Sequence, residues 1–262
     1  MKPFQEFPAH LKEKIRFVLA DIDDTLTQDG LLPSASLAAM ERLRNTGKAV
    51  IPVTGRPAGW CDHIARMWPV AAVVGENGAF FFRYDRTLRK MRRSYFKTVD
   101  EREADRRRLA EVKAEILAEV PGCAVSADQA FREADLAIDF CEDVPPLAPE
   151  AVARIVDLFE KAGARAKVSS IHVNGWFGAY DKLTMTRRLF REVFNEELEA
   201  IRERMIFIGD SPNDQPMFAF FPHSVGVANV RAFAGRMSTL PAWITQKPGG
   251  NGFAEMVAAL LS

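Results

Sequence analysis

Apolar positions along this chain fall into short blocks, and the rhythm between blocks changes twice. Residues 15–20 (IRFVLA) read as a buried strand. Residues 34–45 follow with Leu37, Met40 and Leu43 at helical spacing and Gly47 as a stop. Residues 49–53 predict a second strand, with Pro52 near its end because proline removes a ladder donor. Residues 57–67 predict a helix and residues 71–74 a third strand. Strands alternating with helices argue for a parallel sheet.

The middle of the chain departs from that rhythm. Residues 80–82 and 90–96 flank an Arg/Asp-rich turn as a hairpin, 99–120 form a long charged helix, and 136–140 a strand. Pro145, Pro146 and Pro149 open a helix through residue 162, and residues 166–173 are extended. Alternation then resumes with a helix at 181–194, a central strand at 205–208, short strands at 225–227 and 242–245, and a closing helix at 253–261. The expected organisation is an α/β core from residues 1–83 and 176–262, with an α+β segment, residues 84–175, inserted between its halves.

Charge sits at the ends of the core strands. Asp21-Ile22-Asp23-Asp24-Thr25 follows the first strand directly, and Gly209-Asp210-Ser211-Pro212-Asn213-Asp214 follows the central one. In open α/β sheets ligands bind at the carboxyl ends of strands. Crowded acids there need a cation or protons to compensate them. Oxygen ligands suit Mg²⁺, which also accepts substrate phosphate, and no His/Cys cluster offers a zinc site. Thr54-Gly55-Arg56 marks a third strand end, where the Thr54 hydroxyl and the Gly55 N–H can hold a phosphate oxygen. Lys182, at a helix start, supplies a cation.

Composition narrows the partners. The chain has 262 residues, with 35 Lys+Arg against 35 Asp+Glu, so net charge gives no argument for nucleic acid or an anionic membrane. No apolar run reaches membrane-spanning length. Residues 1–14 are polar and broken by Pro3 and Pro8, unlike the apolar core of a signal peptide. Cys61, Cys123 and Cys141 have no framework spacing, which suggests reduced thiols and a cytoplasmic protein, expected as a monomer or homodimer. No GxxxxGK[ST] is present to suggest a P-loop NTPase.

The order DxDxT, then Thr after a strand, then Lys, then GDxxND resembles the haloacid dehalogenase superfamily. The insert between the Thr and Lys motifs is similar to its C2-type cap. Asn77-Gly78, the Ser-Pro in GDSPND and Gly249-Gly250-Asn251-Gly252-Phe253 are similar to subfamily IIB, which holds Cof-type, sucrose-phosphate and mannosyl-3-phosphoglycerate phosphatases. One departure is Asp181-Lys182-Leu183, where many members have Lys-Gly. The resemblance implies a Rossmann-like doubly wound parallel-sheet core and a Mg²⁺-dependent phosphatase of small phosphorylated metabolites, sugar phosphates first among them. It implies Asp21 as nucleophile and Asp23 as general acid and base. The metal would be held by Asp21, the Asp23 carbonyl and Asp210. Asp214 would accept hydrogen bonds from water around the metal or orient Lys182. Thr54, Lys182 and Asn213 would hold the phosphoryl oxygens, with Gly55.

Substrate selection is expected of the cap. Arg56, Glu76 and Asn77 lie near the core–cap junction, and Ser170, His172 and Asn174 alternate along the last extended cap segment, so all six are candidates. The arginines between residues 83 and 108 read as a solvated face, and Phe80-Phe81-Phe82 as packing. Alternatives are a phosphomutase-type phosphotransferase, or a catalytically silent metabolite-binding or phosphoacceptor protein.

Overall fold

Phe17–Ala20 and Met205–Gly209 are buried at every position, not at alternate ones. Such strands belong in the middle of a sheet covered on both faces. The computed structural model describes residues 1–169 and 171–262. Its strands are β1 (Lys2–Pro3), β2 (Phe17–Ala20), β3 (Ala49–Pro52), β4 (Val73–Gly75), β5 (Phe80–Asp85) and β6 (Lys90–Tyr95). There follow β7 (Ala124–Val125), β8 (Leu136–Asp139), β9 (Arg165–Val168), β10 (His172–Trp176), β11 (Met205–Gly209), β12 (Ser224–Gly226) and β13 (Trp243–Ile244).

Six strands form a parallel sheet in the order β1-β13-β12-β11-β2-β3. Successive residues of β2 point to opposite faces. Val18 and Ala20 join Met40, Ile64 and Phe253 from helices Ser34–Asn45, Ala58–Met67 and Gly249–Leu260. Phe17 and Leu19 join Met185, Leu189 and Met217 from helices Lys182–Leu189 and Gln215–Phe220 on the other face. Each buried Val, Leu, Ile, Phe or Met side chain among these contributes about 1.5–3 kcal/mol. This is the expected Rossmann-like doubly wound core.

Within the helix at 34–45 the buried residues are Ser36, Ala39, Met40 and Leu43, and Leu37 is exposed. The apolar face is thus rotated from the one expected. Pro52 ends β3 opposite Ala20. Its missing donor faces β4, where pairing is reduced to one bridge between Val53 and Val74. Beyond that bridge, β4, β5 and β6 make an antiparallel sheet.

The inserted α+β cap is a four-stranded antiparallel sheet, β7-β8-β10-β9. Helices Val99–Glu119 and Pro149–Lys161 cover it through Leu109, Ile116, Ile155 and Phe159. Residues 166–173, expected as one extended segment, are two strands that reverse direction between Val168 and His172. The expected limits at residues 83 and 176 fall inside β5 and β10. The hairpin of β5 and β6 is hydrogen-bonded to β4.

Candidate active site

β2 and β11 are neighbours in register, Ala20 opposite Ile208. The next residue of β2 is therefore delivered beside the end of β11, and the Asp21 N–H donates to the Ile208 carbonyl at 3.0 Å. Asp210 follows Gly209 at the end of β11. Carboxylate oxygens of Asp21, Asp210 and Asp214 all lie within 4.8 Å of one another, and all three residues are buried. Gly209 is required here, since a Cβ at that position would lie 2.2 Å from the Asp214 Oδ2.

Lys182 lies among them. Its Nζ donates to Asp21 Oδ1 at 2.8 Å and to Asp214 Oδ1 at 2.9 Å. Asp214 Oδ2 accepts from the Asp210 N–H at 3.2 Å. Both Asp214 oxygens are thus engaged, whereas Asp21 Oδ2 and Asp210 Oδ1 have no hydrogen-bond partner among the described residues. Burial pushes the Asp21 carboxyl up to about 7, against the pull of Lys182 and with Asp214 and Asp23 adding to it. Burial, then Asp214 and Asp21, also raise Asp210. Burial pulls the Lys182 ammonium down, but Asp21 and Asp214 outweigh it and hold it above its ordinary range. Three carboxylates against one ammonium leave two negative charges when all are ionised. One hard divalent cation on Asp21 and Asp210 would cancel them, so the donor set fits such an ion.

Asp23 is not one of those three close carboxylates and is held by Arg56. Arg56 Nε contacts its two oxygens at 2.9 and 3.1 Å, and Nη2 contacts Oδ1 at 2.7 Å. Thr54 is fully buried, and its Oγ1 accepts the Arg56 N–H at 3.0 Å, which leaves its own proton free to donate. The Gly55 N–H and the Asn213 side-chain amide have no hydrogen-bond partner among the described residues. A Cβ at Gly55 would press on the Asn77 amide at 3.2 Å. Asp21, Asp23, Asp210 and Asn213 line one cavity of about 720 Å³.

The cap candidates behave differently from expectation. Glu76 does not face substrate. It is fully buried, and its carboxylate accepts the N–H groups of Ala58, Glu133, Ala134 and Asp135 at 2.6–3.2 Å. It is a tether between core and cap. Glu76 and Asn77 both adopt left-handed backbone, φ 42° and 54°, a strain of order 1–3 kcal/mol each that these hydrogen bonds offset. His172 and Asn174 share a strand face, as alternation requires; it lies opposite Val173, which packs under the cap helices, and it is the face from which Lys167, the cross-strand partner of Asn174, reaches the core, but both side chains are held by cap acids. His172 Nε2 lies 2.8 Å from Glu142 Oε2, and the Asn174 amide donates to Asp135 Oδ2 at 3.1 Å. Ser170 lies outside the described residues. The cap residues that line the cavity with Asp21 are Val168 and Ser169, at the end of β9.

Other residues of the site were not singled out from sequence. Asn229 follows β12, and its amide donates to the Asp24 carbonyl at 3.0 Å and reaches Asp210 Oδ2 at 3.5 Å. A polar residue after a fourth parallel strand was the available signal. Arg132 is buried in the cap, paired with Asp128 and Asp135, and donates to the Gly55 carbonyl at 3.1 Å. No sequence spacing announces it. No helix among the described residues is long and apolar enough to cross a membrane.

Comparison with known proteins bears on this geometry. Residues 18–103 match the family model described as haloacid dehalogenase-like hydrolase, a span that includes Asp21, Asp23 and Thr54 but not Lys182 or Asp210. No curated protein matches the sequence. Among solved structures, Thermoplasma acidophilum 0175 superposes with a TM-score of 0.71 at 18% identity, over 94% of this chain and 98% of that one. A haloacid dehalogenase-like hydrolase from Bacteroides thetaiotaomicron gives 0.67 at 16%, over 93% and 98%. The sucrose-phosphatase of Synechocystis, solved with sucrose and phosphate, gives 0.63 at 14%, over 93% and 97%. At these identities the likeness is one of fold.

Proposed function

We propose that this chain, whose residues 18–103 match the haloacid dehalogenase-like hydrolase model and whose fold is that of a solved hydrolase of this kind, is a Mg²⁺-dependent phosphatase of a small phosphorylated metabolite, a sugar phosphate in our reading. The observation that carries the proposal is the Asp21 carboxylate, held by Lys182 at 2.8 Å beside Asp210 and lining a cavity. The sucrose-phosphatase relation in fold supports the substrate class.

In this reading Asp21 attacks phosphorus, the P–O bond to the leaving group breaks, and an aspartyl-phosphate forms. A carboxylate is a weak nucleophile and needs positioning and charge neutralisation. Lys182 supplies one fixed cation. Phosphoryl transfer spreads charge over the equatorial oxygens. The Thr54 hydroxyl, the Gly55 N–H, the Asn213 amide and Lys182 are the donors available to them. Asp21 and Asp210, with the Asp23 carbonyl, would hold Mg²⁺, which when bound neutralises phosphoryl charge. Asp214 acts through Lys182, which both its neighbours orient. Asp23 gives a proton to the leaving oxygen and then takes one from the hydrolytic water, a role worth about 10²–10⁴-fold. Its fork with Arg56 must open on one oxygen for that exchange.

We assign chemistry to the core, expected at residues 1–83 and 176–262, and selection to the cap between them. We place the enzyme in the cytoplasm on its three free cysteines, as a monomer or homodimer. The test is a panel of phosphorylated metabolites assayed with Mg²⁺ and with excess chelator. Turnover that needs the metal supports the reading; no hydrolysis of any phosphomonoester with Mg²⁺ present refutes it.

A further inference from the structure

Lys167 is the residue the reading above does not use. It sits on β9 of the cap, yet its side chain reaches the core, with Nζ 3.3 Å from the Asn213 carbonyl. It shares a second cavity, of about 380 Å³, with Lys182, Asn77 and Asn213. Lys182 therefore borders this cavity on one side and contacts the nucleophile Asp21 on the other.

An ammonium carries three donors. Lys167 has one neutral acceptor and no ion pair among the described residues. The two acids that oppose the fall of its charge are engaged elsewhere. Asp214 accepts from Lys182 and the Asp210 N–H, and Asp181 accepts the Thr184 N–H at the start of helix Lys182–Leu189. Burial and then the Lys182 charge lower the Lys167 ammonium, with Asp214 and Asp181 only opposing. The Lys182 charge is met by Asp21 and Asp214, and Asp181 and Glu160 also line the cavity, whereas Lys167 makes no salt bridge among the described residues. A phosphoryl oxygen within reach of Nζ supplies the partner this half-buried ammonium lacks.

We propose that Lys167 is a cap-borne phosphate-binding residue, which shares the phosphoryl dianion with Lys182 and so ties the cap to the core only when phosphate is present. The proposal rests on the phosphatase reading and extends it: the cap would respond to the phosphoryl group as well as to the leaving group. Because Lys167 lies on the cap and Lys182, Asn77 and Asn213 on the core, the anion itself becomes part of the interface.

Inorganic phosphate is the probe, as a competitive inhibitor of p-nitrophenyl phosphate hydrolysis by the full chain with Mg²⁺. A charge-assisted hydrogen bond of this kind predicts that Lys167→Met raises the inhibition constant for phosphate about 10- to 100-fold. Lys167→Arg restores it to within about threefold of wild type. The rise in thermal midpoint on adding phosphate shrinks in Lys167→Met, while the midpoint without phosphate does not fall. Lys167→Gln serves for the same readings if the methionine variant fails to fold. Unchanged phosphate inhibition in a folded neutral variant overturns the proposal and leaves the phosphatase reading standing. A wild type that neither hydrolyses the ester nor responds to phosphate overturns both.

Discussion

Arg56 grips both carboxylate oxygens of Asp23, with contacts of 2.7, 2.9 and 3.1 Å. Its guanidinium lies 4.5 Å from the centre of the Trp60 ring, and its Nη1 is 4.0 Å from Asp128 and from Glu142, both in the cap. The proposed acid and base is thus aimed by an arginine whose remaining neighbours are cap acids. Lysine keeps the charge but loses the fork. Arg56→Lys is expected to lower kcat about tenfold or more, with KM moving much less, because Asp23 is misaimed and phosphate contacts are kept. Steady-state kinetics check this; an equal rise in KM with kcat unchanged contradicts it.

The pH dependence of stability follows from Asp21. Its carboxyl stands at about 7 in the folded protein against 3.8 in the unfolded chain. Between those values the folded state binds more protons, so this group's stabilising contribution is complete below about 3.8 and is lost as pH rises through about 7. A divalent cation needs the ionised forms. The thermal midpoint of metal-free protein is therefore expected to fall from about pH 5 to about pH 8 on this account. The rise produced by Mg²⁺ grows over the same interval. Melting curves with and without Mg²⁺ across that range decide it, and a Mg²⁺ effect of constant size at every pH argues against the assignment.

Glu76 joins two domains' worth of backbone with one side chain. Its four N–H partners leave no acceptor for a donor of its own. Glu76→Gln turns an amide NH₂ toward those groups, at a cost of about 1–3 kcal/mol. Urea denaturation should show that loss as a lower midpoint, and hydrogen exchange should rise at residues 133–135. A variant as stable as wild type would mean the tether carries no weight.

Much of the core is legible in the sequence. The runs before Asp21 and Asp210 are apolar at every position, which marks central parallel strands, and a polar residue directly after such a strand lies at the ligand-binding edge. Lys182 joins that edge only by tertiary contact, and its place in the order of motifs was the sole pointer to it. The cap was harder. A single reversal between Val168 and His172 decides which residues face the core, and alternation alone does not locate a turn. Hence Lys167, across the turn from Asn174 and on the same strand face, has no signal in the sequence. Glu76 was misread because a buried carboxylate satisfied by backbone N–H groups has no sequence signature. The 3₁₀ helix Ala228–Arg236 and β1 were also invisible, being too short or too irregular to show a period.

Asp21 is the residue proposed to receive the phosphoryl group, and Asp21→Asn tests that most directly. Asparagine keeps the size of the side chain and an oxygen for Lys182, so the thermal midpoint should stay near or above that of metal-free wild type. Hydrolysis of p-nitrophenyl phosphate with saturating Mg²⁺ should fall by roughly 10³-fold or more, as for loss of a nucleophile. Turnover at the wild-type rate in the folded variant would contradict the account.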